Sequence, residues 1–147
     1  MTGVQTCALP SPDGGEFWAP GSSHTITWTA TDNTSIANVD IDYSTDGGAT
    51  YPNAIATGIA NSGTFAWTIP NTPSTHARVR VTAHDIHGNN GNDGSNADFT
   101  IGTPVINASA GAGGSISPGG AVAVAFGGSQ TFTISANACY TDRKSVV

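Results

Sequence analysis

Basic side chains are nearly missing from this chain. Its 147 residues hold four Lys and Arg against ten Asp and Glu, a formal net charge of −6. Phosphate backbones are gripped by clustered Lys and Arg, so a nucleic-acid partner is excluded. No apolar run approaches the ~20 residues a helix needs to cross a bilayer, and membrane insertion is not expected. There are only two cysteines, too few for a disulfide framework. Catalytic signatures are lacking as well: no nucleophile elbow, P-loop or dinucleotide fingerprint occurs. Charged residues make up 10% and apolar residues 37%. That is low for a globular chain but above the range of a disordered one.

What remains is rich in Gly, Ser, Thr and Asn, with long Thr/Val alternations and few helix formers. An all-β protein is expected. In "SPDGGEFWAPGSSHTITWTA", Ile26, Trp28 and Ala30 alternate with Thr25, Thr27 and Thr29. A strand places such alternating residues on opposite faces. "NVDIDYS" sets Val39, Ile41 and Tyr43 against Asp40, Asp42 and Ser44. "TFAWTIP" supplies Phe65, Trp67 and Ile69; "HARVRVTAH" supplies Ala77, Val79, Val81 and Ala83; "ADFTI" supplies Phe99 and Ile101. Turn residues separate these runs at Asp46-Gly47-Gly48, Asn61-Ser62-Gly63, Pro70-Asn71-Thr72-Pro73 and Gly88-Asn89-Asn90-Gly91. Short alternating strands at this spacing predict an immunoglobulin/fibronectin-III-like sandwich over residues 11–101.

Residues 102–104 read as a linker. Residues 105–141 then form an incomplete small β-repeat unit: a strand, a Gly-rich turn, a short strand, and two longer strands around Gly127-Gly128. About 37 residues is too few for a comfortable independent core, so this unit reads as truncated.

The two ends stand apart. "MTGVQTCALP" (1–10) and "DRKSVV" (142–147) carry Cys7, Arg143 and Lys144. Both resemble translated sequencing-library adapter and are set aside from fold reasoning. Without them Cys139 is alone, cysteine usage defines no redox compartment, and residues 11–141 carry nine acids and two bases, net −7.

The stretches "PDGGEFWAPGSSHTITWTA", "VDIDYSTDGGATY", "GTFAWTIP" and "RVRVTAHDIHGNNGNDGSNADFTI" carry a resemblance. Residues 12–101 look like a bacterial relative of the Ser/Thr-rich, GPI-anchored family, which includes the N-terminal domain of fungal cell-wall glucan synthesis proteins. The resemblance implies a sandwich used as an accessory module in secreted proteins. Residues 105–140 resemble the first half of divergent internalin-type B repeats.

Several motifs invite chemistry. "YSTDGGATY" (43–51) resembles the Asp-box hairpin of sialidase propellers. One copy, with only Arg78 and Arg80 as basic partners, predicts a structural turn instead. Asp40 and Asp42 share the outer face of one strand, and cross-strand ion pairs with the Arg78/Arg80 strand are expected over a glycosidase pair. His84 and His87 have zinc-compatible spacing but no third soft ligand. Trp18 is a candidate carbohydrate platform, or an edge-packing residue. The strongest metal candidates are Asp32, Asn33, Asp85, Asn89 and Asp93, with Asn92 beside them. They fall in two loops that an immunoglobulin-like topology brings to one end. Hard oxygen donors from two loops suit calcium, which takes ~6–8 oxygens. The alternative is that Asp, Asn and Gly simply build turns.

These readings converge on a non-catalytic extracellular or cell-surface accessory module, a spacer, display or adhesion unit within a larger protein. Its expected partners are a cell-wall glycan, a surface protein, or other domains of the parent chain. The competing reading is a carbohydrate-binding module attached to a secreted hydrolase, which an exposed aromatic row would favour. No cofactor is expected apart from the candidate calcium.

Overall fold

A computed structural model describes residues 6–33 and 35–138. The chain divides into two units, residues 1–102 and 103–147. The described residues contain strands and turns and no α-helix.

The first unit contains β1 (Thr6–Ser11), β2 (Phe17–Trp18), β3 (Ser23–Thr31), β4 (Ile36–Ser44), β5 (Asn53–Ile59), β6 (Thr64–Thr68), β7 (Ser74–Asp85), β8 (Asn90–Gly94) and β9 (Phe99–Ile101). One sheet runs β1-β3-β6. The other runs β2-β9-β7-β4-β5, and β8 also pairs with β7. The long strand β7 takes β9 beside Ser74 and Ala77, then β8 from Arg80 to His84. Pairing is antiparallel except for β2 and β9, which run parallel.

The alternation seen in the sequence sets the core. Ile26, Val39, Ile41, Ala77, Val79, Val81 and Ala83 are fully buried, and Trp28, Trp67, Ile69, Phe99 and Ile101 nearly so. Phe65 is only half-buried and packs against this cluster. Trp67 is the hub of the aromatic packing. Its ring lies 5.2 Å from Tyr43, 6.0 Å from Trp18 and 6.5 Å from Phe99, the last two edge-on. Such pairs add about 0.5–1.5 kcal/mol each beyond area burial.

Three elements differ from the sequence expectation. Residues 6–10, set outside the sandwich, form most of β1, with Cys7 opposite Ala30 and Ala8 opposite Thr29. Leu9 is buried there, and its amide donates to Asp93 Oδ2 at 2.8 Å. Among the described residues the paired structure therefore takes in Thr6 onward. Asn90 and Gly91, read as turn, instead open β8, because the turn closes earlier over residues 86–89. Strand β5 escaped notice because "NAIATGI" alternates poorly. It has register shifts against β4, and Gly58 within it has φ +66°.

The second unit contains β10 (Val105–Ala108), β11 (Gly114–Ser117), β12 (Gly120–Ala123) and β13 (Thr133–Ala136). They form two separate antiparallel pairs, β10 with β12 and β11 with β13. All four strands are equally short, so the expected lengthening around Gly127-Gly128 does not occur. No residue from 103 to 138 is buried. Cys139, Tyr140 and the 142–147 tail lie outside the described residues.

Candidate functional site

The "YSTDGGATY" hairpin joins β4 to the segment leading into β5. Ser44 ends β4 on a fully buried position, so its hydroxyl is held in one place. That hydroxyl donates to Asp46 Oδ1 at 2.5 Å. It also accepts the amides of Asp46 at 3.1 Å and Gly48 at 3.0 Å. Asp46 in turn accepts the Thr50 amide at 3.0 Å and the Thr50 hydroxyl at 2.6 Å. Gly47 and Gly48 have φ of +75° and +84°, the left-handed region glycine tolerates. These donors, the Ser44 hydroxyl foremost and Thr50 next, pull the Asp46 carboxyl from 3.8 to about 2. The carboxylate is an acceptor locked into a turn, as a structural hairpin requires. The turn amides are shared: Ser44 takes those of Asp46 and Gly48, and Asp46 takes that of Thr50.

The outer face of β4 and β7 carries the ionisable groups. Asp42 lies directly opposite Arg80 and accepts from its Nη2 at 3.1 Å. Asp40 accepts from the Gly58 amide at 2.7 Å and lies 3.0 Å from His84 Nε2. The expected cross-strand ion pairing is thus present for Asp42 and Arg80. Arg78 goes elsewhere: its Nε donates to Asp98 Oδ1 at 2.6 Å, and His76 Nδ1 sits 2.7 Å from Asp98 Oδ2. Contact with His76, then with Arg78, holds the Asp98 carboxyl below the usual carboxylate range. Asp98 did not stand out in the sequence, and Tyr51 entered only as the last residue of the Asp-box stretch. Tyr51 stacks on the Arg80 guanidinium, with Arg80 Cζ 4.4 Å from the ring centroid. Asp98 falls between strands and Tyr51 after a turn, so no alternation pointed to either.

The proposed calcium ligands are only partly gathered. Ile36 pairs with Asp85, so the start of β4 adjoins the end of β7 and the loops that follow β3 and β7 share an end of the sandwich. Asp32 and Asn33 follow β3 there, and Asn89 lies in the turn after Asp85. Asp85 is nearly buried and spends its oxygens on that turn. Oδ1 accepts the amides of His87 and Asn89, both at 2.8 Å, and Oδ2 accepts Asn89 Nδ2 at 2.7 Å. These bonds, led by the Asn89 side chain, lower its carboxyl below the ordinary range. Asp93 does not belong to the group. It pairs with Val81 on β8, roughly 13 Å along the strand from Asp85 at ~3.3 Å per residue. Oxygens sharing one calcium lie within about 5 Å of each other. Asp93 instead holds the Leu9 amide. Asn92 lies beside it on β8, opposite Thr82. Among the described residues no cluster of three or more His, Cys, Asp or Glu is placed to hold a metal.

The other candidates resolve into packing. His84 contacts Asp40 diagonally across the β4–β7 pair, while His87 is exposed in the next turn. Trp18 is 6% exposed and stacks on His24 at 4.4 Å with ring planes 10° apart. Burial lowers the His24 pKa. Ser22 beside it donates its hydroxyl to the Ala19 carbonyl at 2.5 Å, so its proton is committed away from the His24 ring. A shallow depression of about 180 Å³ lies over Trp28, Ala30, Asn61 and Gly63. Both ends of the Asn61 amide there are spent on Trp28 Nε1 and the Ala30 carbonyl.

The family model of the Kre9/KNH-like N-terminal Ig-like domain matches residues 11–91, more than half of the chain. The chain belongs to this family. The match takes in β2 to β7 whole and therefore strands of both sheets. Among solved structures, the fibronectin(III)-like modules of Clostridium thermocellum CbhA are similar, with 16% identity and a TM-score of 0.49. That alignment covers 68% of this chain and 47% of the other, so the chain spans about half the length of that structure. No curated protein matches the chain. Neither the internalin-type repeat nor the adapter resemblance gains support from these comparisons. The immunoglobulin-like expectation for the first unit, by contrast, holds.

Proposed function

We propose that this Kre9/KNH-like domain is a non-catalytic accessory module of a larger extracellular or cell-surface protein, serving as a spacer, display or adhesion unit. One observation carries the reading. The polar outer face of β4 and β7 is spent on internal pairing: Asp42 with Arg80, Asp40 with His84, Asp98 with Arg78 and His76. Catalysis by carboxylates needs one of them raised in pKa and facing a substrate space. Here Asp46, Asp85 and Asp98 are all shifted down, the direction of structural acceptors.

The carbohydrate-binding alternative needs exposed aromatics in a row. Trp18, Trp28 and Trp67 are all in the core, at 6%, 3% and 6% exposure. Their burial counts against a tryptophan platform; the large aromatics exposed among the described residues are Phe17 and Phe126, one in each unit. Depletion assays of the purified chain against insoluble cell-wall glucans and chitin, with a reducing-sugar readout, test the proposal. The expected result is no released sugar and no saturable retention. Retention that Tyr51→Ala abolishes would establish the carbohydrate-binding reading instead. Sugar release that survives repurification would overturn the non-catalytic one.

A further inference from the structure

Strand β1 is the outermost strand of its sheet and pairs on one side, with β3. Its hold on the sandwich is narrow. Thr6, Cys7 and Ala8 stand opposite Thr31, Ala30 and Thr29, and Ser11 stands opposite Thr27. Three steps along β1 thus match two along β3, a register shift of the bulge kind at Leu9 and Pro10. Pro10 has no amide hydrogen to give the ladder. The Leu9 amide turns to Asp93 Oδ2 on β8 at 2.8 Å, and the Cys7 thiol donates to the Val81 carbonyl at 3.7 Å. Among the described side chains of β1, Leu9 alone is buried. No charged residue lies between Thr6 and Pro12, so none has to be moved through the interface when the strand leaves or enters. The chain is fixed again at Asp13, whose carbonyl accepts the Ala97 amide at 2.9 Å and whose Oδ1 accepts Asn96 Nδ2 at 2.6 Å. Between the shift and this anchor lies Pro10-Ser11-Pro12, a short hinge. Each proline fixes its own φ and keeps the residue before it extended.

We propose that β1 is an exchangeable strand: it leaves its own sandwich and seats in the same groove, between β3 and β8, of a second copy of this chain, which returns its own β1. The groove's occupant is already in place. In the closed form β1 fills it, so the strand that fits its ladder, its seat for Leu9 and its Asp93 acceptor is another β1. Exchange conserves each of these contacts, and the two forms then differ in the hinge and in the cost of bringing two copies together. Short hinges invite exchange. The prolines keep this one extended, the form a strand needs to reach a neighbour. Reciprocal exchange closes on itself as a dimer, since each copy gives one strand and receives one. The inference goes beyond the accessory-module reading and does not depend on it.

Cys7 stands opposite Ala30, and such Cα partners lie about 4.5–5.5 Å apart, within reach of a disulfide. Ala30→Cys in a Cys139→Ser background therefore reports which copy supplies β1. The full chain is equilibrated in a glutathione redox buffer over a concentration series, with salt to screen its net charge of −6, then quenched and run on a non-reducing gel. The expected result is an internally linked monomer when dilute and a covalent dimer when concentrated. The dimer-to-monomer ratio should rise about tenfold for each tenfold rise in monomer, as mass action requires. When isotope-labelled and unlabelled chains are mixed, Cys7 of one kind should be found joined to the introduced cysteine of the other. Ala8→Cys with Thr29→Cys, in a Cys7→Ser and Cys139→Ser background, repeats the test at an exposed pair in case the first variant disturbs the core. Tryptophan fluorescence checks that each variant is folded. Internal links alone at every concentration, in both variants, would overturn the proposal. So would a covalent dimer that forms as readily without Ala30→Cys, since it would join two Cys7 thiols by collision.

Discussion

Replacing Ser44 by Ala removes one oxygen from a fully buried position and should unfold the hairpin from inside. The lost oxygen accepts two amides, from Asp46 and Gly48, and donates to the Asp46 carboxylate. Each amide bond is worth about 1 kcal/mol net. The bond to Asp46 involves an exposed residue and is discounted as solvent-screened. The expected loss is therefore about 2 kcal/mol. For a domain of this size 1 kcal/mol moves Tm by about 4–8 °C, so Tm should fall by about 8–16 °C. Thermal unfolding followed by tryptophan fluorescence and by circular dichroism gives the number, and coincidence of the two curves checks two-state behaviour. Trp67 is a suitable reporter because its ring lies 5.2 Å from Tyr43, the residue before Ser44. Thr45→Ala is the control: its side chain is exposed, and a change within about 0.5 kcal/mol is expected. If Ser44→Ala costs no more than Thr45→Ala, the hydroxyl does not organise this turn, and the reasoning fails.

Acid should weaken the same turn. The Asp46 carboxyl is lowered from 3.8 to about 2 in the fold, so its contribution is complete above about pH 4 and disappears as pH falls through 2. Asp46→Asn should flatten that part of the stability–pH curve, as measured by urea unfolding at stepped pH. A Cβ on Gly14 (φ +127°) would meet Ala97 Cβ at 2.4 Å and its backbone at 2.8 Å, whereas one on Gly15 (φ +83°) would meet nothing within 4 Å. Gly14→Ala should therefore cost at least ~2 kcal/mol more than Gly15→Ala by chemical denaturation. Asp42→Asn breaks a half-exposed pair and should cost under about 1 kcal/mol in the same assay. Millimolar calcium should leave Tm unchanged, because the Asp85 oxygens already serve their turn; a rise of several degrees that Asp85→Ala abolishes would reinstate the loop site.

The sandwich was legible because its core strands obey strict alternation. Ile26, Trp28 and Ala30, then Val39, Ile41 and Tyr43, then Ala77 through Ala83, point inward as their spacing demands. Strand β5 was not legible, since its side chains sit on an edge where neither face is cleanly dry. Strand β8 was hidden for another reason. "NGNDG" is turn chemistry by composition, yet β7 beside it is long enough to impose a ladder on it. Tertiary pairing outweighed local propensity there. At the loops, residue type named plausible ligands but not their distances. Only the register, which sets Asp93 against Val81, separates it from Asp85. The Asp98 bridge between His76 and Arg78 depends on a turn meeting a strand about twenty residues away, which no local pattern encodes.

The parallel contact between β2 and β9 has a mechanical consequence. The segment from Asp13 to Trp18 lies along Ala97 to Gly102 through four backbone hydrogen bonds: Ala97 to Asp13, Gly15 to Asp98, Thr100 to Glu16 and Gly102 to Trp18. Because the two segments run the same way, tension entering before Asp13 and leaving after Gly102 pulls them in opposite senses along their length. The bonds are then strained together rather than peeled one after another. The four amides would carry such a load at once, shared with β1, which precedes Asp13 and pairs with β3; Trp18 and Phe99 lie in the seam, so it cannot slip without disturbing the aromatic packing on Trp67.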